Sequence, residues 1–316
     1  MAYAVVLGEA LIDLLEAEVA GIPVYRQAIG GAPLNVAVGV ARLGGSAEYL
    51  GSLGTDVLGE RIAAFLAEAG VGCAGVRRVG VPTTLAVTTF EGAEPTFTFY
   101  GEPPSYALLE PGDLDPAVLA GAGVLYTGSI CLLREPFRSA ARAAWATEGP
   151  IRVFDPNVRP KLLPDAAAVD ALRDLVEEFF ATADLVKLSA ADAETLYGSP
   201  DPAPAAERIL ALGAGAVVVT LGADGAYVAT SSGASSGTAT VPAPSVSAVD
   251  ATGAGDSVMA ALVHRLLTEG RPADPATWHR HVAFALSVAA LVCEHPGGAT
   301  AMPTTTELTA RWGTLA

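Results

Sequence analysis

Positive charge is scarce in this sequence. Its 316 residues carry 18 Lys and Arg against 34 Asp and Glu, a formal net charge of −16. No basic run occurs, which argues against nucleic acid and anionic membrane surfaces as partners. A polyanionic substrate would then need a local cradle and a metal ion. Cysteine is also rare: Cys73, Cys131 and Cys293 are odd in number, widely spaced and without metal-ligand pairing. They read as buried thiols in a reducing compartment. The four histidines form no zinc pattern. No window approaches ~20 uninterrupted apolar residues and no basic stretch precedes the first apolar run, so a cytoplasmic location is expected. Two nucleotide motifs are missing as well. The first apolar run is followed by Glu9 and Asp13 instead of Gly-x-Gly-x-x-Gly, which disfavours a dinucleotide-binding dehydrogenase, and no Walker A sequence exists.

Apolar residues, by contrast, make up 51% of the chain and charged ones only 16%. A large core is therefore available, and a single domain over residues 1–316 is expected. Tyr3 to Gly8 reads as a buried strand, followed by mixed residues to about Ile29 with a turn signal at Gly21-Ile22-Pro23. Pro33 opens a helix that Gly44-Gly45 stops, and Val57 to Ala69 repeats at helical spacing. Leu85–Phe90 and Thr96–Tyr100, rich in Thr, Val and aromatics, suit a hairpin joined through Glu91–Glu94. Strand candidates 123–127, 151–155, 184–188 and 216–221 are separated by helix-length segments. That alternation predicts right-handed β-α-β crossovers and a mainly parallel sheet covered on both faces. Residues 226–230 and 238–241 read as a closing antiparallel hairpin around Ser231–Gly237.

The most informative segment is Val249-Asp250-Ala251-Thr252-Gly253-Ala254-Gly255-Asp256, which runs into an apolar-periodic stretch. Gly253, Ala254 and Gly255 leave backbone N–H groups uncovered at a helix start, where free donors and the macrodipole favour an anion. Asp256 then stands where it can take a proton from an alcohol attacking a bound phosphate. The plainer alternative is a Gly-rich turn with Asp256 as N-cap. Ligands of open α/β sheets bind beyond the carboxyl ends of strands. Those ends deliver Glu9, Asp13, Asp155 to Pro160, Lys187 and Thr220 to Gly225. Each has a structural alternative (a turn, a snorkelling lysine, hairpin glycines), but together they mark a site.

At these residues the chain resembles the ribokinase/PfkB carbohydrate kinases, most closely their fructokinase-like members, over essentially its whole length. Gly30 to Ala37 with Ala41-Arg42-Leu43-Gly44 is similar to the N-terminal signature of that family, and Val249 to Asp256 to the C-terminal one. Gly54 to Gly59, Phe97 to Tyr100, Asp155 to Pro160 and Thr220 to Gly225 are further similarities. The resemblance implies a ribokinase-like three-layer α/β/α sandwich with a small β lid, formed by segments of approximately 14–29 and 85–106. It implies Asp256 as catalytic base and Gly253, Ala254 and Gly255 as anion hole. Asp13, Gly31 and Asn35 would hold sugar hydroxyls, with Arg159 reaching sugar or phosphates. Lys187, Thr220, Gly222 and Gly225 would lie along ATP. Asp250 and the backbone of Thr252 would help hold a monovalent cation, K+ being expected. A homodimer through the lid is a candidate assembly.

Departures from the family pattern shape the remaining expectations. Ser189-Ala190-Ala191-Asp192 replaces the usual Asn-x-x-Glu, so Asp192 would act on Mg2+ through water. Ala251 stands where Thr is usual, and Leu286 where Asn or His commonly lies near adenine. Gly101 to Tyr106 replaces the Arg and Ala-Asp pattern common in fructokinases. The resulting expectation is an ATP-dependent kinase of a small sugar, with D-fructose first. Alternatives are 2-keto-3-deoxygluconate, ribose or a nucleoside, and, in another class, a non-catalytic sugar or nucleotide sensor.

Overall fold

The computed structural model describes residues 2–91, 94–231 and 237–313. Its strands are β1 (Tyr3–Leu7), β2 (Leu11–Val19), β3 (Ile22–Gly30), β4 (Ala47–Gly54), β5 (Val76–Val79), β6 (Leu85–Glu91), β7 (Glu94–Tyr100), β8 (Ala122–Gly128), β9 (Ile151–Asp155), β10 (Leu185–Ser189), β11 (Ala216–Thr220), β12 (Ala226–Thr230) and β13 (Gly237–Val241). The helices are α1 (Ala32–Arg42), α2 (Val57–Glu68), α3 (Pro116–Ala120), α4 (Phe137–Trp145), α5 (Ala166–Phe180), α6 (Ala190–Tyr197), α7 (Pro202–Leu212), α8 (Ala254–Glu269), α9 (Pro275–Cys293) and α10 (Thr305–Trp312).

Nine strands form one sheet in the order β13-β12-β11-β10-β9-β8-β1-β4-β5. Pairing is parallel from β11 across to β5 and antiparallel at the β11–β12–β13 end, as the sequence pattern predicts. Because side chains alternate along a strand, each central strand feeds both cores. Ala4 and Val6 of β1 join the core beneath α1, α8 and α9, while Val5 and Leu7 join the one beneath α4, α5 and α7. Val218 and Val217 of β11 divide in the same way. Each fully buried large apolar side chain contributes roughly 1.5–3 kcal/mol, so these alternating runs explain why the sheet lies between two helical layers.

Where the sequence reading expected mixed residues up to Ile29, β2 and β3 form a long hairpin. Val19 pairs with Ile22, so the turn is Ala20–Gly21, with φ of 51° and 77°. Two consecutive residues with positive φ suit a two-residue hairpin loop. Pro23 therefore falls within edge strand β3 and not in the turn, an edge position that spares the sheet its missing N–H. A four-stranded sheet, β3-β2-β6-β7, rises from the end of β1. Its β6–β7 hairpin was anticipated, although Gly92-Ala93 lies outside the described residues, as does most of the Ser231–Gly237 turn. β4 and β5 were not anticipated.

Two glycines set the position of α1. Gly31 has φ of 117°, and a Cβ there would come within 2.4 Å of the Glu9 carbonyl oxygen. A Cβ on Gly39 would meet Ala260 Cβ at 2.5 Å, so Gly39 lets α1 and α8 approach closely. Two helix starts from distant parts of the chain thus come together at one end of the sheet.

Candidate active site

Helix α8 begins at Gly253, whose φ of 78° makes it the N-cap. Asp256 is consequently in the first turn and is not the cap, which corrects the plainer reading of this segment. Its carboxylate is held from outside the helix. Asn35 Nδ2 donates to Asp256 Oδ2 at 2.7 Å, and Asn157 Nδ2 lies 3.5 Å from Oδ1. Of the expected anion-hole donors, the Ala254 N–H is turned onto the Ala251 carbonyl at 3.1 Å. The N–H groups of Gly255 and Asp256 have no backbone acceptor among the described residues. Those are the donors a helix start leaves for an anion. A Cβ on Gly253 would come within 2.7 Å of Gly298 Cα, so the loop after α9 packs directly on this turn.

Lys187 reaches the same place from β10. Its neighbours Val186 and Leu188 face the α5 core, so alternation turns Lys187 toward α8. A Cβ on Gly255 would lie only 3.1 Å from Lys187 Nζ. The ammonium pairs with Asp155 Oδ2 of β9 at 2.8 Å, both side chains being buried. Burial works against the Lys187 charge, but Asp155, Asp192 and Asp256 around it outweigh this and raise its pKa. Burial pushes Asp155 up to about 6, with Lys187 opposing and Asp192 and Asp256 adding repulsion. One lysine is thus shared among three carboxylates. A buried pair is a poor source of net stability, so this arrangement is better explained by the charge it places beside α8. Asp155 and Asn157 are site residues without an individual role in the sequence reading: they were expected only within the strand-end segment 155–160, with a turn as the alternative.

Asp13, on β2, is mostly buried, and burial pushes its carboxyl up to about 6 while Arg159 opposes the shift and Asp256 adds to it. Asn35, 6% exposed, gives its amide N–H to Asp256 and leaves Oδ1 without a partner among the described residues. Gly31 N-caps α1 beside them. Arg159 is exposed and donates to Asn157 Oδ1 and to the Asn157 carbonyl at 3.2 Å. Asp13, Asn35, Arg159 and Asp256 are thereby gathered round one cleft between the four-stranded sheet and α8. Beneath it Glu9 is 2% exposed, and burial raises its pKa against hydrogen bonds from Ser129 and Cys131. Glu9 Oε2 and the Tyr126 hydroxyl, both buried, also lack partners among the described residues.

The remaining expected residues lie along the sheet's end. Thr220 pairs in register with Ser189, and its hydroxyl is 3.5 Å from the Leu188 carbonyl. Gly222 is exposed with φ of 61° and open space where a Cβ would stand. Gly225 has a packing reason of its own, since a Cβ there would meet the Val241 carbonyl oxygen at 2.0 Å. Asp250 Oδ1 accepts from the Thr252 N–H at 2.8 Å and Oδ2 from the Gly297 N–H at 3.0 Å. Despite partial burial, these bonds hold its carboxyl below the ordinary range. The carboxylate therefore ties the 249–256 segment to the 295–300 loop.

Asp192 is heavily committed. Oδ2 accepts from the Ser189 N–H and hydroxyl at 2.7 Å each, and Oδ1 from the Val158 N–H at 2.8 Å. One lone pair remains on Oδ1, enough for a single contact with a metal ion or with its bound water. Among the described residues no group of three or more His, Cys, Asp and Glu could hold a metal ion. Asp250, with a spare lone pair on each oxygen beside a backbone-rich loop, fits a monovalent cation better than a small divalent one.

Known proteins are similar to this chain over nearly its whole length. The model of the "pfkB family carbohydrate kinase" matches residues 1–305. A fructokinase of Klebsiella pneumoniae is 36% identical over 304 residues, covering 94% of this chain and 95% of its own. Fructokinase of Xylella fastidiosa with bound ATP superposes with a TM-score of 0.86 at 29% identity, over 98% of this chain and 97% of that one. Fructokinase of Vibrio cholerae in its fructose, ADP and calcium form gives 0.86 at 30% identity, over 98% of both chains. Among the described residues no helix is long and apolar enough to cross a membrane. With a ribokinase-like sheet, a helix start gathered against two buried charges and a family match along nearly the whole sequence, the chain belongs to the pfkB carbohydrate kinases and is a sugar kinase, a phosphotransferase.

Proposed function

We propose that this kinase transfers the γ-phosphoryl group of ATP to a hydroxyl of D-fructose. The observation that carries the reading is the Asp256 carboxylate, aimed by Asn35 at 2.7 Å, in the first turn of a helix whose Gly255 lies against Lys187. Asp256 accepts the proton of the attacking hydroxyl, a step worth about 10²–10⁴ in rate for a positioned base. The Gly255 and Asp256 N–H groups, with Lys187, balance charge on the transferring group. Asp13 and Asn35 Oδ1 bind sugar hydroxyls, and Arg159 approaches the sugar or the phosphates. Thr220, Gly222 and Gly225 border the nucleotide. Magnesium, when bound, supplies charge neutralisation on the phosphates, and Asp192 Oδ1 would hold it through water.

Potassium beside Asp250 and Thr252 would strengthen the same helix start. Equal rates in potassium and in tetramethylammonium at matched ionic strength would remove that assignment. The four-stranded sheet serves as a lid, and its exposed Tyr25 and Tyr100, on the face opposite Asp13, offer a surface for a second copy of the chain. A cytoplasmic enzyme fits the scarcity of cysteine. The substrate rests on the fructokinase likeness of the Ala32-Pro33 pair and of residues 155–160. A panel of fructose, ribose, 2-keto-3-deoxygluconate and adenosine, scored by kcat/KM with ATP, tests it: fructose should rank first, and any other order refutes fructose while leaving the kinase class intact.

A further inference from the structure

Arg42 belongs to the Ala41-Arg42-Leu43-Gly44 stretch of the N-terminal signature, is the last residue of α1 and has no part in the site described above. Its Nη1 donates to the Thr300 carbonyl at 3.1 Å, joining positions 258 residues apart. Thr300 lies in a short 3-10 turn, Ala299–Ala301, that follows Gly298. Local backbone donors cannot serve its carbonyl. The residue three further on is Pro303, which has no N–H, and the next N–H, that of Thr304, is given to Glu307 Oε2 at 2.7 Å. The arginine is thus what ties this carbonyl to the rest of the protein.

The loop that Arg42 holds reaches the site at three points. Gly297 gives its N–H to Asp250 Oδ2 at 3.0 Å. A Cβ on Gly253 would fall 2.7 Å from Gly298 Cα, and a Cβ on Gly298 would fall 3.1 Å from Asn35 Nδ2, so the loop backbone is pressed between the N-cap of α8 and the amide that aims Asp256. Asn35 and Arg42 are seven positions apart on α1. That is about 20° short of two turns and about 10.5 Å of rise, so both residues lie on one helix face. Long helical side chains lean toward the N-terminus, which carries the guanidinium back along that face. One face of α1 therefore meets the loop at Gly298 and again at Thr300, and the Gly255 and Asp256 N–H groups follow directly on the Gly253 turn that the loop covers. We propose that Arg42 is a positioning residue for phosphoryl transfer: by clamping Thr300 it keeps the loop pressed on the start of α8, and so fixes the direction of those donors and of the Asp250 carboxylate. This rests on the assignment of the α8 start to the transferring phosphoryl group. The plainer role is a cation in the last turn of α1 that offsets the helix dipole, which would stabilise the fold without touching the chemistry.

Three variants separate the two roles. Arg42→Met removes the donors at similar length, Arg42→Lys restores a charged donor, and Thr305→Val cuts a different bond at the same helix end, from the Thr305 hydroxyl to the Leu43 carbonyl at 2.9 Å. Losing a hydrogen bond from a charged donor should quicken amide exchange over residues 297–302, followed by mass spectrometry, by about ten-fold in Arg42→Met. Its kcat, measured by ADP release with the best sugar, should fall about ten-fold while both KM values stay within about three-fold, because the α8 donors act on charge that develops in the transition state. Arg42→Lys should regain most of that kcat, and Thr305→Val should keep kcat within about two-fold of the parent even where its Tm is lowered as much as that of Arg42→Met. An Arg42→Met enzyme with kcat within about two-fold of the parent, or a Thr305→Val enzyme that loses kcat in step with it, would overturn the proposal. If Arg42→Met loses kcat and its loop exchanges faster while Asp256→Asn keeps its kcat, the clamp is upheld and Asp256 as the base is sunk instead.

Discussion

Replacing Asp256 by Asn separates chemistry from architecture. The substitution preserves volume and the first-turn position, and its amide oxygen can still accept from Asn35 at the 2.7 Å contact. What is lost locally is the charge on that hydrogen bond, worth about 1 kcal/mol, and a contact to Asn157 already stretched to 3.5 Å. What is lost in the transition state is the acceptor for the hydroxyl proton, about 10²–10⁴ in rate or roughly 3–5 kcal/mol. The second quantity exceeds the first several-fold. Urea unfolding should therefore shift by no more than about 1–1.5 kcal/mol, and the affinity for ATP, measured by calorimetry, should hardly change. Steady-state kcat with saturating fructose should fall at least a hundred-fold. A variant that keeps kcat within about ten-fold of the parent would refute Asp256 as the base.

Three other outcomes are expected. Asp13, with a folded pKa of about 6 against 3.8, binds its proton more tightly in the folded state, so the stability it contributes is full below about pH 4 and is lost as pH rises through 6. Asp13→Asn should accordingly gain up to about 3 kcal/mol over the parent between pH 4 and 8 while losing sugar affinity, and parallel stability–pH curves would contradict this. Lys187→Met leaves Asp155 buried without its cation and should cost about 3–5 kcal/mol in urea unfolding, with the Lys187→Met/Asp155→Asn double variant recovering part of it; a single-variant loss under about 1 kcal/mol would show that the pair is already neutral. If the sheet over the cleft closes on the sugar, amide exchange in residues 11–30 and 85–91 should slow when fructose binds, and unchanged exchange at saturation would count against a lid.

The parallel core was legible because its strands are buried on both faces: Ala216–Thr220 and Leu185–Ser189 read as short apolar runs between helix-length segments. The β2–β3 hairpin was not legible from the residue pattern, although the family resemblance placed a β segment at approximately 14–29. β2 has a half-buried pattern in which Leu14-Leu15 interrupts the alternation, and Pro23 drew the expected turn to 21–23, one to two residues beyond the observed Ala20–Gly21. β4 escaped because Gly51 and Gly54 lower its strand propensity, although nearly all of it is buried. Within the site, sequence proximity announced the helix start and its aspartate. Their partners come from 221, 99 and 69 residues away (Asn35, Asn157 and, through Gly255, Lys187 at 256 − 187), separations at which no local pattern carries information. The Asp155–Lys187 pair is instead a product of strand order, since β9 and β10 are neighbours in the sheet.

That same topology gives Asn35 a part beyond its proposed contact with the sugar. An amide has a donating and an accepting end, and the Asp256 carboxylate accepts only, so Nδ2 must face it. Oδ1 is then obliged to point away as an acceptor, and it is the end that lacks a partner among the described residues. A buried unpaired acceptor costs about 1–3 kcal/mol until a hydroxyl meets it. The orientation of the Asp256 carboxylate and the affinity for a hydroxyl donor are therefore linked through one side chain, held in turn by a helix that Gly39 allows against α8. Asp and Leu at position 35 would each break the link, the first by setting two carboxylates side by side and the second by offering Asp256 no donor. Placing the donor on α1 and the proposed base on α8 makes their separation a property of helix packing, the least deformable part of the fold.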